Sequence, residues 1–307
     1  MPAVLRPVAA CGLLAIALAG CGPAGDGTRR DVTVPAVSAE TGPRAMRAVE
    51  RYRAYAGGRI DRTIAGTEEF VAAFKEGRLR RARALYAPSR LGWESVEPVA
   101  EAFADIDSRV DAREADLGQG QRWTGWHRLE KVLWRTPGRA GREAEYGDLL
   151  LADLGTLRAR LPSVEITVNS MANGARELLD EAASGKVTGE EETFSHTDLW
   201  DFKGNVDGAA KVYRLLRPIV RERSPGLVAT LDTGFADLKA LLARHARGDG
   251  FVSYTELSRH QVRALADALN AAAEPLSNLA AVTAGCPLPG PPGTAGGVVS
   301  ASCGGRG

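Results

Sequence analysis

The chain has 307 residues, 39 Lys+Arg against 38 Asp+Glu, and four cysteines. Near-zero net charge argues against a general nucleic-acid or anionic-membrane binder, and the length suits one or two domains. Arg6 is the only charge before Cys21, so loss of that segment leaves the two signs equal.

In chain order, the N terminus reads as a secretion signal. Arg6 is followed by an apolar run from Val8 to Ala19, broken only by Gly12, and then by Leu18-Ala19-Gly20-Cys21. Such a run is too short to remain as a membrane span. Small residues directly before Cys21 resemble a bacterial lipobox, which makes Cys21 the expected lipidation site and places the protein on the outer face of the cell membrane. Residues 1–20 are then the signal and 21–41 a flexible tether. The tail, 285–307, is rich in Pro and Gly. Cys11 leaves with the signal, so Cys286 and Cys303 remain in an oxidising compartment and are expected to pair.

The body, 42–284, is rich in Ala, Leu, Arg and Glu and poor in strand-like runs. Helical spacing appears over 63–75, 93–117, 123–136, 143–160, 164–184, 197–222, 225–246 and 255–283. Ser163, Thr197, Ser224 and Thr255 are candidate N-caps, and Gly185 and Gly248 candidate stops. This predicts an all-α protein of antiparallel helical bundles. A division near Leu161-Pro162 gives possible lobes at 42–161 and 162–284, each the size of a four-helix bundle.

Three stretches carry chemistry. In the first, Glu94, Glu97 and Glu101 fall at i, i+3 and i+7, and Pro98 should bend the helix between them. Carboxylates that close repel one another unless a cation lies opposite. Asp107, Asp111 and Glu114 continue the acidity on a second stripe, without the Gly and terminal Glu of an EF-hand loop. Of these, only Asp111 is a site candidate.

The second stretch, Trp123 to Trp134, separates into three faces on a helix. Trp126, Leu129 and Leu133 are apolar, Arg128, Lys131 and Arg135 cationic, and His127 and Glu130 lie one turn apart between them. A His-x-x-Glu pair can give one nitrogen and one oxygen to a metal ion. The bland alternative is a His–Glu hydrogen bond at a helix contact. Neither zinc-protease motif is present, because Arg128 and Lys131 occupy the positions those motifs need.

In the third, Ser195-x-x-Asp198 resembles a capping box, so a helix should start near His196 with Asp198, Asp201 and Asn205 on one face. His196 is either a ligand across a cleft or an exposed helix-start residue. His245 and His260 read as surface residues. Phosphate-binding, dinucleotide and nucleophile-elbow motifs are absent from the sequence, and the body holds no cysteine for a blue-copper site.

Taken together, Trp-Glu-x-Val-Glu-Pro-Val-Ala-Glu (93–101), Asp-x-Arg-Val-Asp-Ala-Arg-Glu (107–114) and the run 123–134 resemble the imelysin-like EfeO/EfeM proteins. Gly-Glu-Glu (189–191), Ser-His-Thr-Asp-Leu-Trp-Asp-Phe (195–202) and Gly-Asp-Gly-Phe-Val-x-Tyr (248–254) fit in the same order. The resemblance covers about 42–284 and is to the short form without a cupredoxin domain. It implies an extracytoplasmic helical iron-binding component working with a haem peroxidase and a membrane permease. It also implies that His127 and Glu130 are metal ligands, with Glu94 and Glu97 as acidic partners and Asp111 a further one.

Two function classes follow. One is an iron-binding lipoprotein, ferrous or ferric, whose His-plus-carboxylate set is hard and oxygen-rich. The other is a zinc metallopeptidase with His127, Glu130 and His196 as ligands, for which the sequence offers no general base. A helical scaffold without a ligand is the bland third. Because His127 must be neutral to bind a metal, affinity is expected to fall from its unperturbed pKa of about 6.5 downward.

Overall fold

The computed structural model describes residues 41–97 and 103–286. The elements are α1 (Thr41–Lys75), α2 (Leu79–Glu94), α3 (Ala104–Val110), α4 (Gly125–Arg135), α5 (Ala144–Arg160), α6 (Val168–Ser184), α7 (Leu199–Arg223), α8 (Pro225–Ala243), α9 (Arg259–Leu276) and α10 (Leu279–Ala284). A two-residue hairpin, β1 (Ala246–Arg247) against β2 (Gly250–Phe251), interrupts them after α8.

Along α1 the buried positions run Tyr52, Ala56, Ile60, Thr63, Thr67, Phe70 and Phe74, steps of three and four that keep one face inward for the whole helix. Each large apolar side chain buried this way contributes roughly 1.5–3 kcal/mol. That face packs against α2 and α5, and α4 closes the group by touching both. In the second half, α6 packs against α7 and α9, and α8 closes between them. Short connections, such as Glu76 to Arg78 between α1 and α2, force neighbouring helices to run antiparallel. The chain is therefore all-α, as the spacing predicts. α7 also packs on α1 and α2, so the two four-helix groups share one continuous core.

Helix ends depart from the sequence reading where a better cap lies nearby. Thr167, not Ser163, caps α6 by accepting the Ser170 amide, and Ser258, not Thr255, caps α9 by accepting that of Gln261. The capping-box reading at 195–198 fails as well. α7 starts at Leu199, and the Ser195 hydroxyl donates to Glu192. Gly248 turns the hairpin with φ +57° instead of ending a helix. The long pattern over 93–117 is broken, because α2 ends at Glu94 and α3 at Val110. Glu97 thus sits on a turn.

Among the described residues no helix is long and apolar enough to cross a membrane. Cys21, Pro98, Glu101 and Cys303 lie outside them. Cys286, at their edge, is disulfide-bonded.

Candidate metal centre

The acidic stretches meet where the two helix groups join, and three glycines permit the approach. A Cβ on Gly125 would stand 2.2 Å from the Val110 carbonyl oxygen, so only glycine, here at φ +85°, lets α4 start against the end of α3. That contact sets His127 beside Asp111. On α7, a Cβ at Gly204 would stand 2.3 Å from Glu94 Cβ, and one at Gly208 would stand 2.5 Å from the Ser95 carbonyl oxygen. The Gly-x-x-x-Gly spacing therefore draws α7 onto the end of α2 and brings Asp201 and Asn205 under Glu94 and Glu97.

His127 is 2 % exposed and its two nitrogens face different neighbours. Nδ1 lies 3.3 Å from Glu130 Oε2 and 3.4 Å from the Tyr86 hydroxyl. The other oxygen of Glu130 accepts the Phe194 and Ser195 amides at 2.9 and 2.6 Å, which locks the carboxylate. Nε2 has no hydrogen-bond partner among the described residues. It lies 3.4 Å from Asp111 Oδ1 and 3.8 Å from Glu191 Oε1. Asp111 is held from behind by Trp93 Nε1, which donates to its Oδ2 at 2.7 Å.

Three overlapping sets of donor atoms lie within 4.8 Å of one another: Asp111–His127–Glu191, His127–Glu130–Glu192 and Glu94–Glu97–Asp111. Metal bonds of about 2.0–2.6 Å can span such separations. Two clefts border this cluster. One, about 320 Å³, is lined by Arg113, His127, Glu130 and Phe194. The other, about 370 Å³, is acidic, with Glu97, Asp107, Asp111, Asp116, Glu181 and Glu191 in its wall.

Two cations in this site escape a sequence reading. Arg90, fully buried, donates to Glu94 at 2.7 Å and to Asp111, and its Nε lies 2.9 Å from Glu192 and 3.6 Å from Asp201. Lys186, 1 % exposed, donates to Glu94 at 2.8 Å and lies 3.4 Å from Glu97, while Asn205 donates to Glu97 at 2.7 Å. Glu94 is thereby neutralised twice inside the protein. Buried carboxylates that close require such partners.

Carboxylates still outnumber these cations, and the protonation equilibria show it. Burial, aided by Glu130 and Asp198 and opposed by Arg90, pushes Glu192 up to about 8. Burial and Glu94 hold Glu97 well above the carboxylate range, and burial with Glu192 and Glu94 does the same for Asp201. Asp111 goes the other way, because Arg90 and His127 outweigh its burial. Burial and Arg90 press His127 downward, yet Asp111, Glu130 and Glu192 prevail and raise it to about 10. The value of about 6.5 expected from the sequence is therefore corrected upward. Without a metal the site holds protons in its place.

All five of His127, Glu130, Glu94, Glu97 and Asp111 fall in this cluster. Glu114 does not: it pairs with Lys131 on the surface. His196 joins none of the three donor sets. It sits in the turn before α7 with φ +58°, its carbonyl accepting the Tyr254 amide. His245 is buried, not a surface residue, because the β-hairpin folds over it through the Val252 amide. Arg90, Lys186, Glu191, Glu192 and Asp201 are additions. Of these, Asp201 carried a signal through its place on the face with Asp198 and Asn205, and Glu191 lay within the Gly-Glu-Glu run of the resemblance, where no role was assigned to it.

The sequence model of the family described as Imelysin matches residues 48–279. A protein of Staphylococcus haemolyticus named as an Efem/EfeO family lipoprotein is 38 % identical over 272 residues, covering 87 % of this chain and 95 % of its own length. Proteins named as iron uptake system component EfeO are similar too. That of Escherichia coli O157:H7 is 38 % identical over 238 residues, and that of Shigella flexneri 37 % over the same length. Each match covers 76 % of this chain but 63 % of the relative, so the chain spans under two thirds of those proteins.

Proposed function

The chain belongs to the imelysin family, and we propose that it is the extracytoplasmic iron-binding lipoprotein of an Efe-type iron uptake system. It captures iron at His127 and passes it to a membrane permease, in company with a haem peroxidase. The relatives' names, a lipoprotein and iron uptake components, support this reading. So does the lipobox-like run ending at Cys21.

The observation that carries it is the Nε2 of His127, buried without a hydrogen bond and flanked by Asp111 and Glu191, both of which line the acidic cleft. In this reading Nε2, Asp111 and Glu191 take the ion first. Glu130 fixes the imidazole through Nδ1, as carboxylates commonly do behind a metal-bound histidine, or closes the coordination from the other side together with Glu192. Glu94 and Glu97, now occupied by Arg90, Lys186 and Asn205, are the further oxygens that could join the ion through the Glu94–Glu97–Asp111 set. One nitrogen among several oxygens suits ferrous or ferric iron better than a thiolate-selecting metal. Filling the site relieves the repulsion that now holds protons on Glu97, Glu192 and Asp201.

Calorimetric titration with ferrous iron under anaerobic conditions, and with ferric iron as a soluble chelate, tests the assignment. Saturable binding of one form or both, lost in His127→Ala, is expected. Zinc binding accompanied by casein hydrolysis, with no iron binding, would replace it with the zinc metallopeptidase reading.

A further inference from the structure

The near-zero net charge of this chain hides a segregation. While acids gather at the metal centre, cations without carboxylate partners gather along α1 and α7. Among the described residues, Arg47, Arg51, Arg59 and Arg62 on α1, with Lys211, Arg214 and Arg221 on α7, appear in no ion pair. They are close enough to feel one another. Burial and the charges of Arg214, Arg51 and Arg59 hold the Lys211 ammonium below its ordinary range. Arg59 and Lys211 share the ring of Tyr55, at 5.3 and 5.2 Å from its centroid. Leaving so many cations unpaired on one face is electrostatically unfavourable unless an anion is met there.

The stripe ends in a groove of about 190 Å³ between the two helices. Arg44, Arg47 and Arg51 form one wall, and Leu215, Pro218 and Ile219 are opposite. Arg44 is paired there with Glu222, which leaves the other two free to meet a ligand. This is also where the tether joins α1. Twenty residues separate Cys21 from Thr41, a span of at most about 70 Å fully extended. The metal centre lies towards the other end of the stripe. The Arg59 carbonyl packs at Gly92, and Arg47 lies twelve residues nearer the N terminus, about 18 Å along a helix.

We propose that this α1/α7 face docks on an anionic phospholipid surface, its arginines and Lys211 meeting the headgroup phosphates. The orientation it implies rests on Cys21 being the anchor; the docking itself does not. A lipid chain would keep the face close to the bilayer, and the face would turn the protein so that α1 lies against the membrane.

The test uses the chain without residues 1–20 and with Cys21→Ala, so that neither the apolar run before Cys21 nor an acyl chain contributes. It should co-sediment with vesicles of phosphatidylcholine containing 30 mol % phosphatidylglycerol at low salt, and not with phosphatidylcholine alone. The triple variant Arg47→Ala, Arg51→Ala, Arg214→Ala should lower the partition coefficient roughly 100-fold, at about fivefold per cation. Its melting temperature and iron titration should stay unchanged, which separates this outcome from a failure of the iron-binding reading. Equal binding to both vesicle types, or an unaffected triple variant, would overturn the proposal. Retention on soluble polyphosphate as tight as on the anionic vesicles would overturn it in favour of a polyanion partner.

Discussion

The two nitrogens of His127 occupy opposite kinds of surroundings. On the Nδ1 side Glu130 is 0 % exposed and clamped by two backbone amides at the wall of the first cleft. On the Nε2 side Asp111 and Glu191 are each 9 % exposed and form part of the wall of the acidic cleft. Backbone clamping makes a carboxylate a good orienter and a slow exchanger. A partly exposed carboxylate can release water or a proton and accept an incoming ion with little rearrangement. The clamped side therefore suits positioning, and the more exposed side capture. A carrier that must also give up its cargo benefits from keeping the two apart.

Removing the imidazole breaks both sides at once and should give the largest effect. His127→Ala is expected to weaken iron binding by more than about 100-fold, beyond the range typical of outer-shell changes. The thermal stabilisation by iron should vanish with it, about 2.7 kcal/mol at a hundredfold excess over Kd. Differential scanning calorimetry with and without iron measures this. Retention of the full shift would remove His127 from the site.

Next in size is the dependence on pH. His127 is raised to about 10 and Glu192 to about 8, so the metal-free folded protein holds protons that the unfolded chain releases. A raised histidine contributes stability that is complete below about 6.5 and lost as pH climbs through 10. A raised glutamate costs stability once pH passes from about 4.5 towards 8, by the same linkage. Iron displaces these protons, so its affinity should rise by roughly tenfold per pH unit for each proton released. Titrations between pH 5.5 and 7.5 in buffers of different ionisation enthalpy give that number directly. An affinity flat above pH 6.5 would mean that His127 is already neutral and that its carboxylate partners do not protect its proton.

Much of the scaffold and half of the charge cluster were legible in the sequence, for identifiable reasons. Helices α4 to α8 follow from apolar spacing because each buries one continuous face, and His127 and Glu130 share a turn of α4 by spacing alone. Arg90 and Lys186 were not legible, because nothing local marks a basic residue as buried. Arg90 lies on a helix rich in arginine, and Lys186 in a turn beside Gly185. Their burial results from α7 settling on α2 through Gly204 and Gly208, a tertiary event. Glu191 and Glu192 lie in the run Glu190-Glu191-Glu192, whose spacing alone does not single out which acid turns inward when the loop folds over α4.

The difference between the two sides can be sharpened one oxygen at a time. Asp111→Asn and Glu191→Gln on the more exposed side should each reduce iron affinity by about 10- to 100-fold, while Glu130→Gln, which keeps an acceptor for the Phe194 and Ser195 amides, should cost about tenfold or less. The same titration reads all three. If Glu130→Gln proves the most damaging, the metal sits on the clamped side, with Glu130 and Glu192 as ligands. The His127–Glu130–Glu192 set would then replace Asp111–His127–Glu191 as the centre.

The smallest effect on iron is expected from Arg128→Ala, and it tests whether α4 separates its duties by face. Arg128 follows His127 directly but points away. It donates to Glu143 at 2.6 Å and lies over the rings of Tyr146, at 4.9 Å, and Trp123, at 5.6 Å. With Arg128 22 % and Glu143 8 % exposed, the pair is only partly screened. Together with the ring contacts it should hold α4 to α5 by about 1–2 kcal/mol. Truncation should therefore lower the melting temperature while leaving iron affinity within about twofold, since none of the Arg128 contacts involves a donor to the site. Urea unfolding and the iron titration on the same preparation separate the two quantities. A loss of affinity as large as the loss of stability would mean that α4 must be rigid as a whole for His127 to hold its place, and that Glu130 alone does not position the imidazole.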